Sequence, residues 1–278
     1  MIITLTLNPG LDQTYSLSES DLGQVDVHRA TASTMEASGK GVNISRALHL
    51  NSTETLAVYP VGGPTGRHLS ELLDIEGVPR RDVPAQSTTR VNTTMALSTG
   101  TTVKVNGPGG ALTHDELNSL TREVTSALQE SVGGEDVCLA ICGSLPPGAD
   151  SAQLAEFVSL AHRHGATCAV DASGEALAAA VSAGADLIAP NRLELGEVYP
   201  QVADTESISE LAVVAAQIAR DTGVSLLISL GADGALYTDG QSALHGTGTK
   251  IAAVNTAGAG DALLAGWLAG PASPHARL

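Results

Sequence analysis

The sequence has few aromatic residues and few cations. Phe, Trp and Tyr make up 2% of its 278 residues, so the core must be aliphatic, and recognition of a nucleotide would have to use backbone and aliphatic contacts. Only 14 Lys and Arg stand against 30 Asp and Glu, and the formal net charge of -16 repels a nucleic-acid backbone. We therefore expect no nucleic-acid partner, and any anionic ligand must be held by a few locally placed cations.

The sequence also lacks a cysteine pattern, a long apolar run and a basic leader. Cys138, Cys142 and Cys168 are an odd number without a C-x-x-C pair, which argues against a disulfide framework and a zinc site. No uninterrupted apolar stretch approaches the roughly 20 residues of a membrane helix, and the start MIITLTLNPG has no basic region. The sequence therefore predicts a cytoplasmic protein with no membrane partner.

Apolar residues are plentiful and regularly spaced. They form 43% of the chain, and short apolar runs typical of buried strands alternate with segments of helical spacing. This alternation predicts a mainly parallel sheet with helices on both faces. The predicted strands are 2–7, 55–61, 136–142, 167–171, 186–189 and 224–230, and the predicted helices are 41–51, 65–76, 113–130, 151–164 and 207–222.

Two stretches interrupt the alternation. Residues 11–33 and 79–106 are rich in Thr, Val and Ser with period-two patterning, so they predict an accessory β-sheet outside the main one. Further along, Asp239 and Gly240 suit a two-residue hairpin turn. We expect one α/β domain over 1–278 with the small sheet as an appendage.

A glycine-rich turn near the C-terminus carries a carboxylate. Gly258, Ala259, Gly260 and Asp261 follow the strand-like IAAVNT and precede the helical pattern ALLAGWLAG. Amides at such a strand-to-helix turn converge on an anion, and a carboxylate in the first helical turn can deprotonate a hydroxyl beside it. The alternative for this motif alone is an ordinary helix N-terminus with an acidic residue.

A second glycine-rich loop, SGKGVN at 38–43, leads into a helix. Its Gly39, Lys40 and Asn43 offer close approach, a cation and an amide to sugar hydroxyls or a phosphate. A Walker loop requires G-x-x-x-x-G-K-[ST], and this spacing differs from it. The alternative is an exposed loop with a solvated Lys.

Asn191 and Glu194 lie three residues apart after the apolar run DLIA. On a helix they would share a face, and a carboxylate with an amide at the end of a strand can hold Mg²⁺ and its waters. The alternative is the start of a surface helix.

Arg29, Arg90 and Lys104 are scarce cations that fall in the two β-type stretches, and Arg67 lies between those stretches. Positive charge on an accessory sheet makes sense if that sheet closes over an anionic substrate. The alternative is solvated surface charge.

Taken together, the motifs resemble those of the ribokinase-like (PfkB) carbohydrate kinases, and within them the branch of 1-phosphofructokinase and tagatose-6-phosphate kinase. The matching stretches span nearly the whole chain in the family's order. They are TLNPGLDQTY at 6–15, SGKGVNISRAL at 38–48, TTRVNTT at 88–94, CGSLPPG at 142–148, APNRLEL at 189–195, SLGADGAL at 229–236 and VNTAGAGDALLAGWL at 254–268.

The resemblance implies a three-layer αβα fold with a lid sheet and a Mg²⁺- and ATP-dependent kinase that phosphorylates a ketohexose phosphate. Fructose 1-phosphate is the expected acceptor, with tagatose 6-phosphate as the alternative. The resemblance also makes Asp261 the catalytic base. It makes the amides of Ala259, Gly260 and Asp261 the anion hole for the transferring phosphoryl group. A homodimer formed through the lid is a further implication.

The family's other site residues carry over by position. Asp12, Gly39, Lys40, Asn43 and Ser144 would contact the sugar, Arg90 with Arg29 and Lys104 would hold its phosphate, and Asn191 with Glu194 would organise magnesium. Ser229, Gly231 and Gly234, together with Gly258 and Gly260, would line the nucleotide.

The chain departs from the family's pattern in two places. Members usually continue for a few dozen residues beyond the helix after GAGD, where part of the adenine pocket forms, whereas this chain stops at GPASPHARL. Gly107 stands where members commonly carry an acidic residue. A sugar-phosphate-binding protein with impaired ATP binding is therefore the alternative to an active kinase.

Overall fold

The computed structural model describes residues 1–23, 27–131, 137–248 and 258–270 of the chain. Short apolar runs form most of its strands, which we number in chain order. They are β1 (Ile2–Leu5), β2 (Gly10–Leu17), β3 (Ala30–Ser38), β4 (Thr55–Val61), β5 (Arg80–Pro84), β6 (Arg90–Ala96), β7 (Thr102–Val105), β8 (Cys138–Cys142), β9 (Thr167–Asp171), β10 (Leu187–Ile188), β11 (Ser225–Ser229), β12 (Ala235–Thr238) and β13 (Ala243–Gly246).

Helices connect the strands of the main sheet. They are α1 (Lys40–Leu50), α2 (Gly63–Glu76), α3 (His114–Glu130), α4 (Ser151–Arg163), α5 (Gly174–Ser182), α6 (Arg192–Val198), α7 (Ile208–Thr222) and α8 (Ala259–Ala269). Local signals define their ends: α3 begins with a reciprocal capping box between Thr113 and Glu116, and α7 ends at Gly223 in the left-handed conformation. Among the described helices, none has the length and apolarity needed to cross a membrane.

The main sheet has nine described strands in the order β13-β12-β11-β10-β9-β8-β1-β4-β5. Every pairing from β5 across to β11 is parallel, and β12 and β13 add an antiparallel edge. One face is covered by an aliphatic cluster that includes Leu120, Phe157 and Leu211 from α3, α4 and α7. The opposite face packs against Ile44 of α1 and Trp267 of α8. The expected three-layer α/β architecture is thereby confirmed.

The accessory sheet has the order β3-β2-β6-β7, and we call it the lid sheet. The lid strand β2 follows directly after the carboxyl end of β1, and β3 leads directly into α1. The lid sheet is therefore joined to the carboxyl edge of the main sheet. The lid stretch predicted over 79–106 is wrong at its start. Arg80–Pro84 pairs in parallel with β4 and forms the edge strand of the main sheet, directly after α2.

Other boundaries need smaller corrections. The strands predicted at 55–61 and 167–171 are confirmed to the residue, whereas α5 was not predicted. The predicted two-residue hairpin turn is wrong, since β12 and β13 are joined by four residues, where the Asp239 carboxylate accepts from the backbone N–H groups of Gln241 and Ser242. The strand-like stretch IAAVNT lies outside the described residues.

Candidate active site

Asp261 lies in the first turn of α8, at the carboxyl edge of the main sheet. The helix begins after Gly258, which adopts the left-handed conformation with φ 79°, and Gly258, Ala259 and Gly260 are all exposed. Their position leaves first-turn amides, which lack partners within the helix, open to an anion. Asp261 itself is buried, and Asn43 Nδ2 donates to its Oδ2 over 2.7 Å.

Burial decides the electrostatics of Asp261. Loss of water around the carboxylate raises the pKa of Asp261, whereas the hydrogen bond from Asn43 and the charge of Lys40 oppose that rise. A carboxylate with a raised pKa in a cleft is a stronger proton acceptor than a solvated one. The arrangement suits a general base.

Glycines bring α1 close enough to contact Asp261. A Cβ on Gly39 would lie 2.8 Å from Thr6 Cγ2, and one on Gly41 would lie 2.5 Å from Thr6 Oγ1. Gly39 also has φ 129°, a conformation that L side chains rarely adopt. The start of α1 therefore packs on the end of β1, which carries Lys40 and Asn43 into the site.

Lys40 makes a contact that the sequence did not predict. Its Nζ donates to Asp171 Oδ1 over 2.7 Å and lies 3.8 Å from Glu194 Oε1. Burial disfavours the ammonium group, yet the charges of Asp171, Glu194 and Asp261 outweigh it and raise the pKa of Lys40. Lys40 is thus the counter-ion of a carboxylate pair.

Asp171 is a site residue that sequence reasoning missed. It is the last residue of β9, only 4% exposed, and burial raises its pKa to about 6 despite the opposing effect of Lys40. A carboxylate that ends a buried parallel strand was the signal, because ligands bind at that edge of open α/β sheets.

Asn191 and Glu194 form the N-terminal cap of α6. Asn191 Oδ1 accepts from Glu194 N over 2.9 Å, and Glu194 Oε2 accepts from Asn191 N over 2.9 Å. The cap occupies the Asn191 oxygen but leaves Glu194 Oε1 facing Lys40 and Asp171. The predicted pair therefore contributes one carboxylate to the site, and Asn191 positions it.

The carboxylates of Asp171 and Glu194 fit magnesium. In the described ranges no group of three His, Cys, Asp or Glu side chains is placed to hold a metal ion by protein ligands alone. Magnesium usually takes one or two carboxylates, with phosphate oxygens and waters supplying the rest. Two hard oxygen donors at the carboxyl edge of the sheet meet that requirement.

Arg90 begins β6 and anchors the other end of the site. It donates from Nη1 to Gly107 O over 3.1 Å and from Nη2 to Asn8 O over 2.9 Å. Its Nε has no hydrogen-bond partner among the described residues. Burial lowers the pKa of Arg90, and Asp12 opposes that shift. That Nε is buried, but Nη1 and Nη2 each use one of their two N–H groups in the contacts above, so the half-buried guanidinium keeps donors for an anionic group.

Asn8 links Arg90 to the loop after β8. Its side chain is buried, and Nδ2 donates to Oγ of the exposed Ser144 over 3.1 Å. Asn8 lies within the motif TLNPGLDQTY but was not predicted to have a role, although a buried Asn after the first strand was a usable signal. Ser144 is therefore held by Asn8 at the surface, and its contact with a substrate stays a prediction.

The lid sheet brings Asp12 to the site but not Arg29. Asp12 of β2 lies opposite Asn92 and Glu36, and Asn92 Nδ2 donates to its Oδ1 over 2.8 Å. Arg29 is exposed just before the far end of β3, seven residues from Glu36, which is about 23 Å along a strand. Lys104 is exposed in β7, on the Asp12 face of the sheet but further out.

The residues expected to contact the nucleotide surround the end of β11. Ser229 is half-buried and pairs with Asn191 in an isolated β-bridge. The residues predicted to contact the nucleotide therefore lie next to the pair predicted to organise magnesium. Gly231 is exposed with φ 62°, and Gly234 has φ 90° at a position where a Cβ would clash with Gly246 O. These glycines permit close backbone approach beside the carboxylate pair.

The groups around Asp261 at one end of the site and around Arg90 at the other determine what chemistry the site can support. A buried carboxylate and a helix N-terminus lie near two further carboxylates and a Lys, and the Arg90 guanidinium is close enough to Asp12 to be affected by its charge. Such a site can hold a polyol between a general base and a cation, with an anion bound at the helix N-terminus.

Known proteins match this chain over nearly its whole length. The model of the pfkB family of carbohydrate kinases matches residues 6–275. The ATP-dependent 6-phosphofructokinase isozyme 2 of Escherichia coli (strain K12) is 35% identical over 270 residues, or 95% of this chain and 83% of that protein. The 1-phosphofructokinase of Bacillus subtilis (strain 168) is 30% identical over 270 residues, or 97% of this chain and 85% of that protein.

Solved structures match the fold as well. The crystal structure of phosphofructokinase-2 from Escherichia coli in complex with fructose-6-phosphate superposes with a TM-score of 0.84 at 32% identity, covering 96% of this chain and 85% of that one. The tetrameric inhibited form of the same enzyme gives a TM-score of 0.85 at 32% identity, covering 96% and 86%.

Proposed function

This chain belongs to the pfkB family of carbohydrate kinases and is an ATP-dependent sugar-phosphate kinase, and we propose that its acceptor is fructose 1-phosphate, which it converts to fructose 1,6-bisphosphate. Relatives named 1-phosphofructokinase at 30–32% identity support this choice. Family membership also favours a working kinase over a sugar-phosphate-binding protein.

Arg90 is the observation that carries the preference for a phosphorylated acceptor. In a chain of net charge -16, the half-buried guanidinium of Arg90, with one N–H group left on each of Nη1 and Nη2, provides a local positive charge for an anion. Arg pairs with phosphate through two parallel hydrogen bonds, which fixes orientation as well as charge. The phosphate at Arg90 would place the other end of the sugar towards Asp261.

Asp261 would then take the proton from the accepting hydroxyl. As the hydroxyl oxygen bonds to the γ-phosphorus of ATP, the bond to the bridging oxygen of ADP breaks and the proton passes to an Asp261 oxygen. The hydrogen bond from Asn43 occupies Oδ2, so Oδ1 is the oxygen left for the proton. Positioning and charge stabilisation supply most of the acceleration in phosphoryl transfer.

The remaining charges would act on the transferring group. Amides at the exposed start of α8 would receive its equatorial oxygens, and Lys40 can turn from Asp171 towards a phosphate. Magnesium held by Asp171 and Glu194 would neutralise charge on the ATP phosphates. Ser229, Gly231 and Gly234 would bound the nucleotide beside them.

The outer face of the lid sheet supports a homodimer. Register places Tyr15, Met35 and Val105 on the face opposite Asp12, and they are 38%, 36% and 58% exposed. An apolar sheet face of this kind is buried when a second copy packs on it. Light scattering of the parent and of Tyr15→Lys tests this, and a parent that stays monomeric at micromolar concentration rejects the dimer.

Fructose 6-phosphate is a second candidate acceptor. The relative at 35% identity is named a 6-phosphofructokinase, and a matching crystal structure contains fructose-6-phosphate. The product would be the same, but the sugar would bind in the reverse direction. Tagatose 6-phosphate is the third sugar to compare.

Steady-state kinetics separate these acceptors. ADP release is measured with fructose 1-phosphate, fructose 6-phosphate, tagatose 6-phosphate and unphosphorylated fructose at saturating MgATP. We expect the highest kcat/KM for fructose 1-phosphate. A higher value for either 6-phosphate assigns that sugar instead, and a best value for fructose removes Arg90 as a phosphate-binding group.

A further inference from the structure

Asn92 lies between the two residues assigned to opposite ends of the acceptor. It follows Arg90 by two positions in β6, so the two side chains share a face of the lid sheet, and it lies opposite Asp12 of β2. Asn92 Nδ2 donates to Asp12 Oδ1 over 2.8 Å, and its Oδ1 accepts from Gly107 N over 3.2 Å. The NH₂ group and the oxygen of the Asn92 carboxamide therefore each form a hydrogen bond.

An amide is the side chain suited to these two hydrogen bonds. It must donate to a carboxylate on one side and accept from a backbone N–H on the other, and a carboxylate in its place could only accept. The two hydrogen bonds also fix the orientation of the amide, because the reverse orientation would place its oxygen against Asp12. The Asp12 carboxylate is therefore fixed by the Asn92 amide, whose own orientation is fixed by the Gly107 N–H.

Gly107 extends this arrangement to Arg90. Its N–H donates to Asn92, and its carbonyl accepts from Arg90 Nη1 over 3.1 Å. A Cβ on Gly107 would lie 2.8 Å from Val91 O and 3.1 Å from Arg90 Cβ, so the segment can approach β6 this closely only with glycine. The departure from the family's acidic residue thereby has a structural role in this chain.

We propose that Asn92 is a positioning residue that holds Asp12 and, through the Gly107 peptide, Arg90 in one fixed relation, so that the lid sheet recognises a sugar and its existing phosphate as a unit. The proposal rests on the proposed function, since it assigns the sugar to Asp12 and the phosphate to Arg90. Asn92 acts on the acceptor without being required to touch it.

Two variants of Asn92 and one matched control test the proposal. Asn92→Ala removes both hydrogen bonds, and the isosteric Asn92→Asp places a second acceptor against Asp12. Both should raise KM for the best sugar phosphate by roughly tenfold or more, because a hydrogen bond to a charged group is removed, with KM for ATP within twofold. Asn106→Asp makes the same chemical change on an exposed neighbour and should leave KM unchanged.

A double-mutant cycle distinguishes positioning from general loosening of the lid. In the Asp12→Ala background, Asn92→Ala should raise KM by clearly less than it does in the parent, because its effect on Asp12 is gone and only its effect on Arg90 through Gly107 remains. Full additivity of the two changes overturns the proposal, as does an unchanged KM in folded Asn92→Asp. An equal rise in KM for the sugar phosphate and KM for ATP in the Asn92 variants also overturns the proposal, because a merely structural role would affect both substrates.

The result is independent of which sugar phosphate proves best. The acceptor survey is done on the parent enzyme, so a preference for unphosphorylated fructose would reject the proposed function there. The ratio of kcat/KM for phosphorylated over unphosphorylated sugar then tests the link to Arg90. This ratio should fall in Asn92→Ala, and an unchanged ratio rejects the link through Gly107.

Discussion

Asn43 Nδ2 donates to Asp261 Oδ2 over 2.7 Å, which joins the start of α1 to the start of α8. This hydrogen bond favours the ionised carboxylate against the burial that raises the pKa of Asp261. Asn43→Ala should therefore raise the pKa of Asp261 further, and a base that must be ionised then loses activity at a higher pH. We expect the acid limb of the kcat profile to move to higher pH.

The profile of kcat, measured at saturating substrates, reports groups in the ternary complex and removes effects on binding. Asn118→Ala, on the exposed side of α3, is the control and should reproduce the parental profile. An acid limb that stays in place or moves to lower pH in Asn43→Ala contradicts the assignment of Asp261 as the base.

Asp171→Asn should stabilise the fold and reduce activity. Burial raises the pKa of Asp171 from 3.8 to about 6, so the folded state binds this proton more tightly than the unfolded state. That contribution to stability is present below about pH 4 and is lost as the pH rises through about 6. A neutral Asn avoids the loss, so the gain should be about 1–3 kcal/mol at pH 8, since the pKa of about 6 already includes the favourable effect of Lys40 on the ionised carboxylate.

Urea unfolding in the presence of EDTA at pH 5 and pH 8 measures this effect. The gain of Asp171→Asn should be smaller at pH 5, and Asp204→Asn, an exposed change of the same kind, should show no such dependence. A variant that is less stable than the parent at pH 8 would mean that the Lys40 ion pair outweighs the cost of burying the carboxylate.

Much of the fold could be predicted because most parallel strands of the main sheet, such as β1, β8 and β9, are short buried apolar runs. A strand that is buried on both faces is a continuous apolar run, which is easier to recognise than an alternating pattern. Glycines such as Gly223 mark where helices end. Arg80–Pro84 was misassigned because its sequence, RRDVP, is mainly polar and only partly buried. A strand at the edge of the main sheet has the same pattern as a lid strand.

The site was predicted less completely than the fold. Motif residues such as Lys40 and Glu194 were identified, but their mutual contact across the main sheet depends on strand order, which no local pattern encodes. Asn92 was missed for the same reason, since it acts on a residue far away in the chain, whereas Asp171 could have been identified from its place at the end of a predicted strand. Arg29 was grouped with Arg90 by charge alone, and the structure separates them.

Arg90→Ala should raise KM for the sugar phosphate by tenfold to a hundredfold while KM for ATP changes little. A charge-assisted hydrogen bond contributes roughly 1.5–3 kcal/mol, and Arg90 would donate such a bond to the acceptor's own phosphate. Arg163→Ala removes an exposed Arg at the end of α4 and serves as the control. Equal effects on both substrates in Arg90→Ala would show that Arg90 does not bind the acceptor.

Asp261→Asn should remove most of kcat and leave both KM values nearly unchanged. A base that takes the proton during transfer contributes little to ground-state binding, and general-base catalysis typically supplies roughly 10²–10⁴-fold. Asn keeps the size of the side chain and an oxygen that can accept from Asn43 Nδ2. The variant therefore removes the base while it keeps the hydrogen bond between α1 and α8.

Thermal unfolding of Asp261→Asn shows whether the fold is intact. Asp261 is buried, and its raised pKa means that ionisation is disfavoured in the folded state. A neutral Asn should therefore melt at or above the parental temperature. If the folded variant keeps within about threefold of parental kcat, less than an ordinary general-base effect, Asp261 is a helix cap and another group must take the proton.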